Sequence, residues 1–257
     1  MNSEEYQKMY DLEDKYWWFV GRRKLLSSVF ELYILDKRDL LFDLGCGTGL
    51  NLMSFANSCR AVGADRSFTA LGYCRQRNVQ TVFQCEAESI PLKSNSVDVV
   101  TALDVLEHLK EDEEALKEIH RALKPGGLLI ATVPAYGFLW SEHDEALHHY
   151  RRYTAREMRM KLSASGFELE RTTYYITFLF APILLFRLWQ NLFDVSHHPS
   201  VSYIMPPRWI NDFFIWLLDV EAQIMKFINL PFGISIICIA RKALDTSGCV
   251  DRSQVEG

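Results

Sequence analysis

A run of imidazoles and charged side chains between positions 143 and 153 offers the best material for acid–base chemistry in this chain. His143 stands beside Asp144, and His148 and His149 follow closely. Histidine exchanges a proton near neutral pH, so one of these side chains is suited to act as a general base oriented by Asp144. His143 and His148 are the favoured bases, because His143 is adjacent to Asp144 and because Asp144 and His148 would share one face of a helix.

Two other interpretations of this segment stay open. The same four side chains could bind a divalent cation, although the sequence fixes no ligand geometry. The segment could also be a solvated loop in which Arg151 and Arg152 pair with nearby acids. We rank a base or substrate contact first, the solvated loop second and the metal third, and therefore expect no resident metal.

A second informative segment, residues 40–51, combines one acid with three glycines at alternate positions. An apolar run leads to Asp43 and then to Gly45, Gly47 and Gly49. A short apolar run before a glycine-rich turn predicts a buried strand that leads into a helix. Because glycine lacks a Cβ, the backbone here can turn tightly and approach a ligand closely.

The glycine spacing separates two kinds of nucleotide ligand. A dinucleotide fingerprint requires the pattern G-x-G-x-x-G. In this chain Leu50 occupies the position of the third glycine, which comes one residue earlier. This spacing disfavours an NAD-linked oxidoreductase, which we keep as an alternative.

Acids recur where later strands are expected to end. Asp65, Glu86 and Asp104 each close a short apolar run. In doubly wound folds, an acid at the end of the second strand accepts hydrogen bonds from both hydroxyls of a ribose. A Pro-Gly-Gly turn within 123–135 then introduces a fifth strand.

Taken in order, these segments resemble the core motifs of class I S-adenosylmethionine (SAM) methyltransferases. The pattern W-S-x-H-D followed by H-x-R-R-Y-T resembles the ubiquinone-biosynthesis or "type 11" members of that family. The resemblance implies that SAM is the cofactor and that Glu86, where the family more often has Asp, meets the adenine amino group. The cofactor-binding residues it implies are Asp43, Gly45, Cys46, Gly47, Gly49, Asp65, Arg66, Glu86, Ala87, Asp104 and Val105.

The N-terminal block 15–26 joins an aromatic cluster to two arginines. In related methyltransferases the helix before the first strand closes over the cofactor, so this block could form a wall of the site and Arg22 or Arg23 could hold an acidic acceptor group. The alternative is a hydrophobic staple ahead of a helix at 22–34, with the arginines in solvent. The substrate contacts that we infer are Trp18, His108, His149, Arg152 and Tyr153.

The alternation of strand and helix patterns predicts a parallel sheet. Thr154 and Glu157 form a capping box for a helix at 154–167. The strands are expected at 39–45, 60–65, 81–86, 97–104, 126–135, 167–176 and 235–242. The expected fold class is α/β: a doubly wound, mostly parallel, seven-stranded Rossmann-like sheet with an antiparallel last strand and a helical insertion between the last two strands.

The insertion, residues 177–232, is too long for a hairpin loop. Its apolar run at 174–186 is shorter than the roughly 20 residues that span a membrane, and 212–228 has the pattern of an amphipathic helix. A lid over an apolar acceptor, a membrane-interface anchor, core packing and a dimer face are all compatible with this pattern. The expected organisation is an N-terminal helical cap at 1–36, a SAM-binding core at 37–176, the insertion, a last core strand at 233–243 and a flexible tail at 244–257.

Composition excludes several classes of protein. The net charge of −5 gives no electrostatic argument for binding nucleic acid. The six cysteines include no C-x-x-C pair, which disfavours a zinc site or a disulfide framework and suits a reducing cytoplasm. The acidic N-terminus lacks the apolar segment of a signal peptide.

The sequence therefore predicts a cytoplasmic SAM-dependent methyltransferase. The expected acceptor is a small, apolar or lipid-linked molecule, with O-methylation favoured, and 177–232 could contact the inner face of a membrane or form an oligomer. Besides the NAD-linked enzyme, a non-catalytic partner subunit with the same fold is an alternative. The intact Asp43, Asp65 and glycine series disfavours that alternative, because an inactive subunit has no physical need of these residues.

Overall fold

The computed structural model describes residues 3–33, 36–193 and 205–244, which form one sheet with helices on both faces. The strands are β1 Leu40–Leu44, β2 Arg60–Asp65, β3 Val82–Gln84, β4 Val97–Leu103, β5 Leu123–Pro134, β6 Phe167–Tyr175 and β7 Ser235–Lys242. The helices are α1 Ser3–Leu12, α2 Trp17–Tyr33, α3 Leu50–Phe55, α4 Phe68–Gln76, α5 Asp112–Ala122, α6 Glu142–Ala146, α7 Ala155–Ala164, α8 Phe180–Phe193 and α9 Arg208–Met225.

The sheet has the strand order β3-β2-β1-β4-β5-β7-β6. Strands β1 to β5 pair in parallel, and β7 is antiparallel to both of its neighbours. The predicted fold class is therefore confirmed, including the antiparallel last strand and the helical insertion between β6 and β7. From β1 the chain builds β2 and β3 on one side of the sheet, and it then crosses back to place β4 on the other side of β1. The carboxyl ends of β1 and β4 therefore flank the point where such sheets bind ligands.

The predicted strands at 60–65 and 235–242 coincide with β2 and β7, and the others differ at their ends by one to a few residues. The Thr154–Glu157 capping box forms as predicted, at the start of α7. The predicted helix at 22–34 begins instead at Trp17, because Trp17 and Trp18 pack against the core and so belong to α2. The predicted tail lies outside the described residues after Leu244, and the division into domains stays a prediction.

Helices α2 and α9 pack together on one face of the sheet. A Cβ on Gly21 of α2 would lie 2.1 Å from Leu218 Cδ1 of α9, so the two helices approach at a distance that only glycine permits. Leu218, Ala222 and Met225 join the buried cluster on this face. Core packing therefore accounts for the inner face of α9, one of the roles expected for the insertion.

Candidate active site

A cavity of about 760 Å³ opens at the carboxyl ends of β1, β2 and β4. This volume falls within the usual range for small-molecule sites, roughly 300–1,000 Å³. Its walls include residues of the N-terminal helices, the glycine-rich turn after β1, the chain that follows β2, β3 and β4, the segment that joins β5 to α7, and α8. The cavity therefore joins the two segments that sequence analysis selected for chemistry.

The glycine-rich turn needs glycine for two distinct reasons. Gly45 and Gly49 have φ angles of +71° and +87°, which residues with a Cβ rarely adopt. A Cβ on Gly45 would also lie 2.4 Å from Val105 Cγ2, and one on Gly49 would lie 2.9 Å from Cys74 Sγ. Gly45, Cys46 and Gly47 line the cavity, whereas Gly49 lies behind its wall, against α4.

Asp65 lies at the end of β2 and faces the same cavity. Its Oδ2 accepts a hydrogen bond from the Gly47 N–H at 3.0 Å, and its Oδ1 accepts one from the Ser67 N–H at 2.8 Å. Burial raises the pKa of this carboxyl despite these hydrogen bonds. The other predicted cofactor residues on this side, Arg66, Glu86 and Ala87, also line the cavity.

Asp43 does not reach the cavity. Its side chain is buried behind the glycine-rich turn, where Oδ1 accepts a hydrogen bond from Thr101 Oγ1 at 2.6 Å. Its Oδ2 has no hydrogen-bond partner among the described residues. Burial raises the pKa of Asp43 to about 7. In this structure the Asp43 side chain therefore contacts β4, and its predicted contact with the cofactor stays a prediction.

Three polar contacts tie the N-terminal helices to the strand ends. The Tyr6 hydroxyl lies 3.5 Å from Asp65 Oδ1. The Thr48 hydroxyl donates to Glu13, and the guanidinium of Arg22 forms an ion pair with Asp104. Tyr6 and Glu13 were not identified from sequence, because no local pattern joins side chains so far apart along the chain.

The Arg22–Asp104 ion pair lies in the wall of the cavity. Asp104 has a φ angle of +56°, and its Oδ1 accepts a hydrogen bond from Thr132 Oγ1 at 2.9 Å. The Arg22 guanidinium lies 4.7 Å from the centre of the Trp18 ring. Trp18, Asp104 and Val105 line the cavity as predicted residues of the site, and the buried Arg22 is not in solvent.

Asp144 is the centre of a buried hydrogen-bond network. Its carboxylate accepts hydrogen bonds from His149 Nδ1 at 2.9 Å and from Arg152 Nε at 2.8 Å. The Ser141 N–H and hydroxyl also donate to it, at 2.8 and 2.9 Å. Burial opposes ionisation of Asp144, but the hydrogen bonds from His149 and Arg152 outweigh it and lower its pKa.

The imidazole that is hydrogen-bonded to Asp144 is that of His149, whereas His143 and His148 were favoured from sequence. The backbone turns at His148, where φ is +57°, so the segment is not one continuous helix and the assumed helical spacing does not apply. His143, His148 and His149 all line the cavity, as do His108 and Arg152.

Tyr153 does not fit the predicted substrate contact. Tyr153 is 2% exposed and does not line the cavity, and its hydroxyl donates to Asp112 Oδ2 at 2.7 Å. Tyr153 therefore anchors the end of this segment to the first turn of α5.

Glu107 is a functional candidate that sequence analysis did not name. It lines the cavity with 1% of its surface exposed, and neither carboxylate oxygen has a hydrogen-bond partner among the described residues. Burial and the nearby Asp104 raise the pKa of Glu107 well above its ordinary value. Its position in D-V-L-E-H, next to His108, was the available signal, but the direction of its side chain depends on the short 3₁₀ turn Leu106–His108.

Glu107, His108 and His149 form a compact cluster of titratable groups. One potential ligand atom from each lies within 4.8 Å of the others. Burial lowers the pKa of His108 to about 3, so this imidazole is neutral at ordinary pH. The cluster could hydrogen-bond to the hydroxyl of an acceptor molecule, or it could bind a divalent cation. Its three residues are a different ligand set from the one considered from sequence.

Comparison with known proteins identifies the central part of the chain. A family model described as a methyltransferase domain matches residues 42–131. A probable S-adenosylmethionine-dependent methyltransferase of Mycolicibacterium smegmatis is 32% identical over 52% of this chain and 54% of the relative. The chain spans 54% of the length of this relative and 19% of the length of a second one.

Two further comparisons cover more of the chain. The ubiquinone biosynthesis O-methyltransferase of Coxiella burnetii is 24% identical over 79% of this chain and 94% of its own length. The solved structure of phosphoethanolamine N-methyltransferase 2 of Haemonchus contortus, in complex with S-adenosyl-L-methionine, matches 85% of this chain and 52% of its own, with a TM-score of 0.57 and 20% identity. The structural match shows a shared fold.

Proposed function

We infer that the chain transfers a methyl group from SAM to a small acceptor, since residues 42–131 form a class I SAM-dependent methyltransferase domain. The observation that carries the proposal is the cavity at the carboxyl ends of β1, β2 and β4, which contains the glycine-rich turn and Asp65 together. The NAD-linked alternative has no comparable support, because the glycine pattern lacks the third glycine of the dinucleotide fingerprint.

The residues on the β1–β2 side of the cavity fit this cofactor. A buried carboxylate at the end of β2 can accept hydrogen bonds from a ribose, and the close backbone at Gly45 and Gly47 leaves room for a ligand. Glu86 and the N–H of Ala87 are the proposed partners of the adenine. When bound, SAM supplies the electrophilic methyl group, and the protein has to orient the acceptor and exclude water.

The other side of the cavity provides a general base. The ionised Asp144 accepts the Nδ1 proton of His149, which leaves Nε2 as the proton acceptor. An acceptor hydroxyl would give its proton to His149 while its oxygen attacks the methyl group, aligned at roughly 3 Å. Glu107 and His108 are the adjacent groups, and His143 and His148 remain candidates in the same wall. O-methylation is the proposed reaction because this base suits a hydroxyl.

A small, apolar or lipid-linked acceptor is the proposed substrate. Leu139, Leu179 and Ile183 give the cavity an apolar wall next to its polar end. The similarity to a ubiquinone biosynthesis O-methyltransferase over most of the chain supports this class of substrate. No nucleic-acid substrate is proposed, since the chain carries a net charge of −5.

Calorimetry followed by methyl transfer tests the proposed function. The purified protein should bind SAM and not NAD, and it should transfer label from methyl-labelled SAM to a component of a metabolite extract. Binding of NAD alone would establish the oxidoreductase alternative. SAM binding without transfer to any component would support a non-catalytic partner subunit.

We also propose that the insertion contacts a membrane from the cytoplasmic side. The outer face of α9 exposes Trp209, Phe213 and Trp216, with 73%, 50% and 57% of their surfaces accessible. Aromatic side chains of this kind favour the interface between lipid and water. Among the described helices, none is both long and apolar enough to cross a membrane.

Co-sedimentation with liposomes tests this contact. The wild type should sediment with vesicles, and the double change Trp209→Ser and Trp216→Ser should release it while the protein stays folded. Leu218 is unsuitable for this test because it is buried against Gly21. If the wild type stays in solution and elutes as an oligomer that the double change dissociates, the aromatic face is a contact between subunits instead.

A further inference from the structure

The turn between β6 and α8 has an unfavourable backbone conformation. Ile176 has a φ angle of +58° and is almost completely buried. A β-branched residue rarely adopts the left-handed region, because its Cβ substituents collide with the backbone. Such a conformation persists only where its surroundings hold it in place.

Glu221 of α9 is the group that holds this turn. Its carboxylate accepts hydrogen bonds from the backbone N–H groups of Ile176 and Thr177, the second at 2.9 Å. The Thr177 hydroxyl donates to the same carboxylate. Glu221 is itself buried, so these charge-assisted bonds are shielded from water and stabilise the turn more than neutral ones would.

The residues after the turn fix the direction of α8. Phe178 stacks on Phe214, with ring centres 5.8 Å apart. Phe180 lies 5.5 Å from Tyr136 and 5.4 Å from Phe232, again between ring centres. The base of α8 is therefore held by contacts with α9, with the segment after β5 and with the approach to β7.

Helix α8 in turn forms one wall of the cavity. Leu179, Ile183 and Phe186 line it, and their spacing of four and three residues places them on one helical face. Because β6 has the same direction as β5, its carboxyl end delivers α8 to the edge of the sheet where the cavity opens. The proposed cofactor residues follow β1, β2, β3 and β4, whereas α8 follows β6 at the far side of the sheet, so α8 stands on the acceptor side.

We propose that Glu221 is a positioning residue that holds α8 as the wall of the acceptor subsite, where Ile183 and Phe186 select acceptors that carry an apolar group. The proposal deepens the proposed function and rests on it. The residues of α8 that line the cavity offer only hydrocarbon to a ligand, whereas His149 offers a proton acceptor and Glu107 a hydrogen-bonding carboxyl group at the other end. An acceptor that fits both ends of this subsite has a hydroxyl group at one end and an apolar substituent at the other.

Binding of 4-alkylphenols, from the methyl to the pentyl compound, tests the subsite in the protein saturated with S-adenosylhomocysteine. For the wild type, affinity should rise about fourfold for each added methylene, which corresponds to about 0.8 kcal/mol. Ile183→Ala and Phe186→Ala should reduce this dependence on chain length while the affinity for SAM stays unchanged. No binding, or affinity independent of chain length, would overturn the subsite.

Hydrogen exchange tests the role of Glu221. Glu221→Gln should speed exchange at the amides of residues 176–186 and reduce the dependence on alkyl chain length in parallel. Asp219→Asn is the matched control, because Asp219 lies on the same helix but is partly exposed and pairs with Lys24 at 3.3 Å. If Glu221→Gln shows the same amide exchange and the same dependence on alkyl chain length as the control, the positioning role is refuted. A wild type that binds alkylphenols but not SAM would refute the methyltransferase proposal and leave the apolar subsite standing.

Discussion

Replacing Asp65 by Ala is expected to weaken SAM binding by about 10- to 100-fold, which corresponds to about 1.5–3 kcal/mol for charge-assisted hydrogen bonds to a buried ligand. Two effects combine in this change. The proposed acceptor of the ribose hydroxyls is lost, and the Gly47 N–H loses the carboxylate that holds it at 3.0 Å. Calorimetric titration of SAM into the variant measures the loss directly.

Asp98→Ala is the matched control for this experiment. Asp98 also accepts a hydrogen bond from a backbone N–H, that of Leu40 at 2.9 Å, and pairs with Lys124 at 2.7 Å. It lies at the amino end of β4, on the opposite edge of the sheet from the cavity. Asp98→Ala should therefore lower stability without changing the Kd for SAM. Equal affinities in the wild type and in folded Asp65→Ala would exclude the proposed cofactor site.

The fold could be predicted because its signals are local. An apolar run followed by glycines specifies β1 and its turn, and the Thr154–Glu157 box specifies the start of α7. The carboxyl ends of parallel strands share one edge of a sheet, so placing the strands also placed Asp65, Glu86 and Asp104 around one cavity.

Contacts between distant segments could not be predicted in the same way. Arg22 and Asp104 are 82 positions apart, and Ile176 and Glu221 are 45 apart, so neither pair produces a periodic pattern. Glu107 was missed for a related reason. Whether its carboxylate faces the cavity or solvent depends on the 3₁₀ turn that carries it, and the type of residue does not determine that direction.

The choice among the histidines shows how one backbone angle changes a chemical prediction. A continuous helix would bring His148 beside Asp144, but α6 ends at Ala146 and the chain turns at His148. The turn carries His149 back to Asp144, where it forms the 2.9 Å hydrogen bond. The sequence therefore pointed to this segment and this acid, and the turn determines that the imidazole hydrogen-bonded to Asp144 is that of His149. The catalytic role of the segment stays a prediction.

His149→Ala is expected to lower turnover by about 100- to 10,000-fold, the usual contribution of a general base, while the affinity for SAM stays near that of the wild type. His143→Ala and His148→Ala are the matched controls, since both side chains line the same cavity. These two variants should lose less activity than His149→Ala, because the hydrogen bond to Asp144 orients the imidazole of His149. The rate of single-turnover transfer from labelled SAM is measured together with the Kd for SAM. The two values separate a slower chemical step from weaker cofactor binding.

The Glu107, His108 and His149 cluster makes a divalent cation the principal rival to this assignment. His149→Ala would impair both arrangements, so activity alone does not distinguish them. Treatment of the wild type with a chelator does: an enzyme that uses His149 as a base keeps its activity, whereas one that uses a metal loses it and recovers when the ion is restored. Glu107→Gln adds a second criterion, because loss of a ligand weakens metal binding, while loss of an adjacent carboxylate leaves the Asp144–His149 hydrogen bond in place. Full activity of His149→Ala, with no effect of the chelator, would leave catalysis to the alignment of donor and acceptor alone.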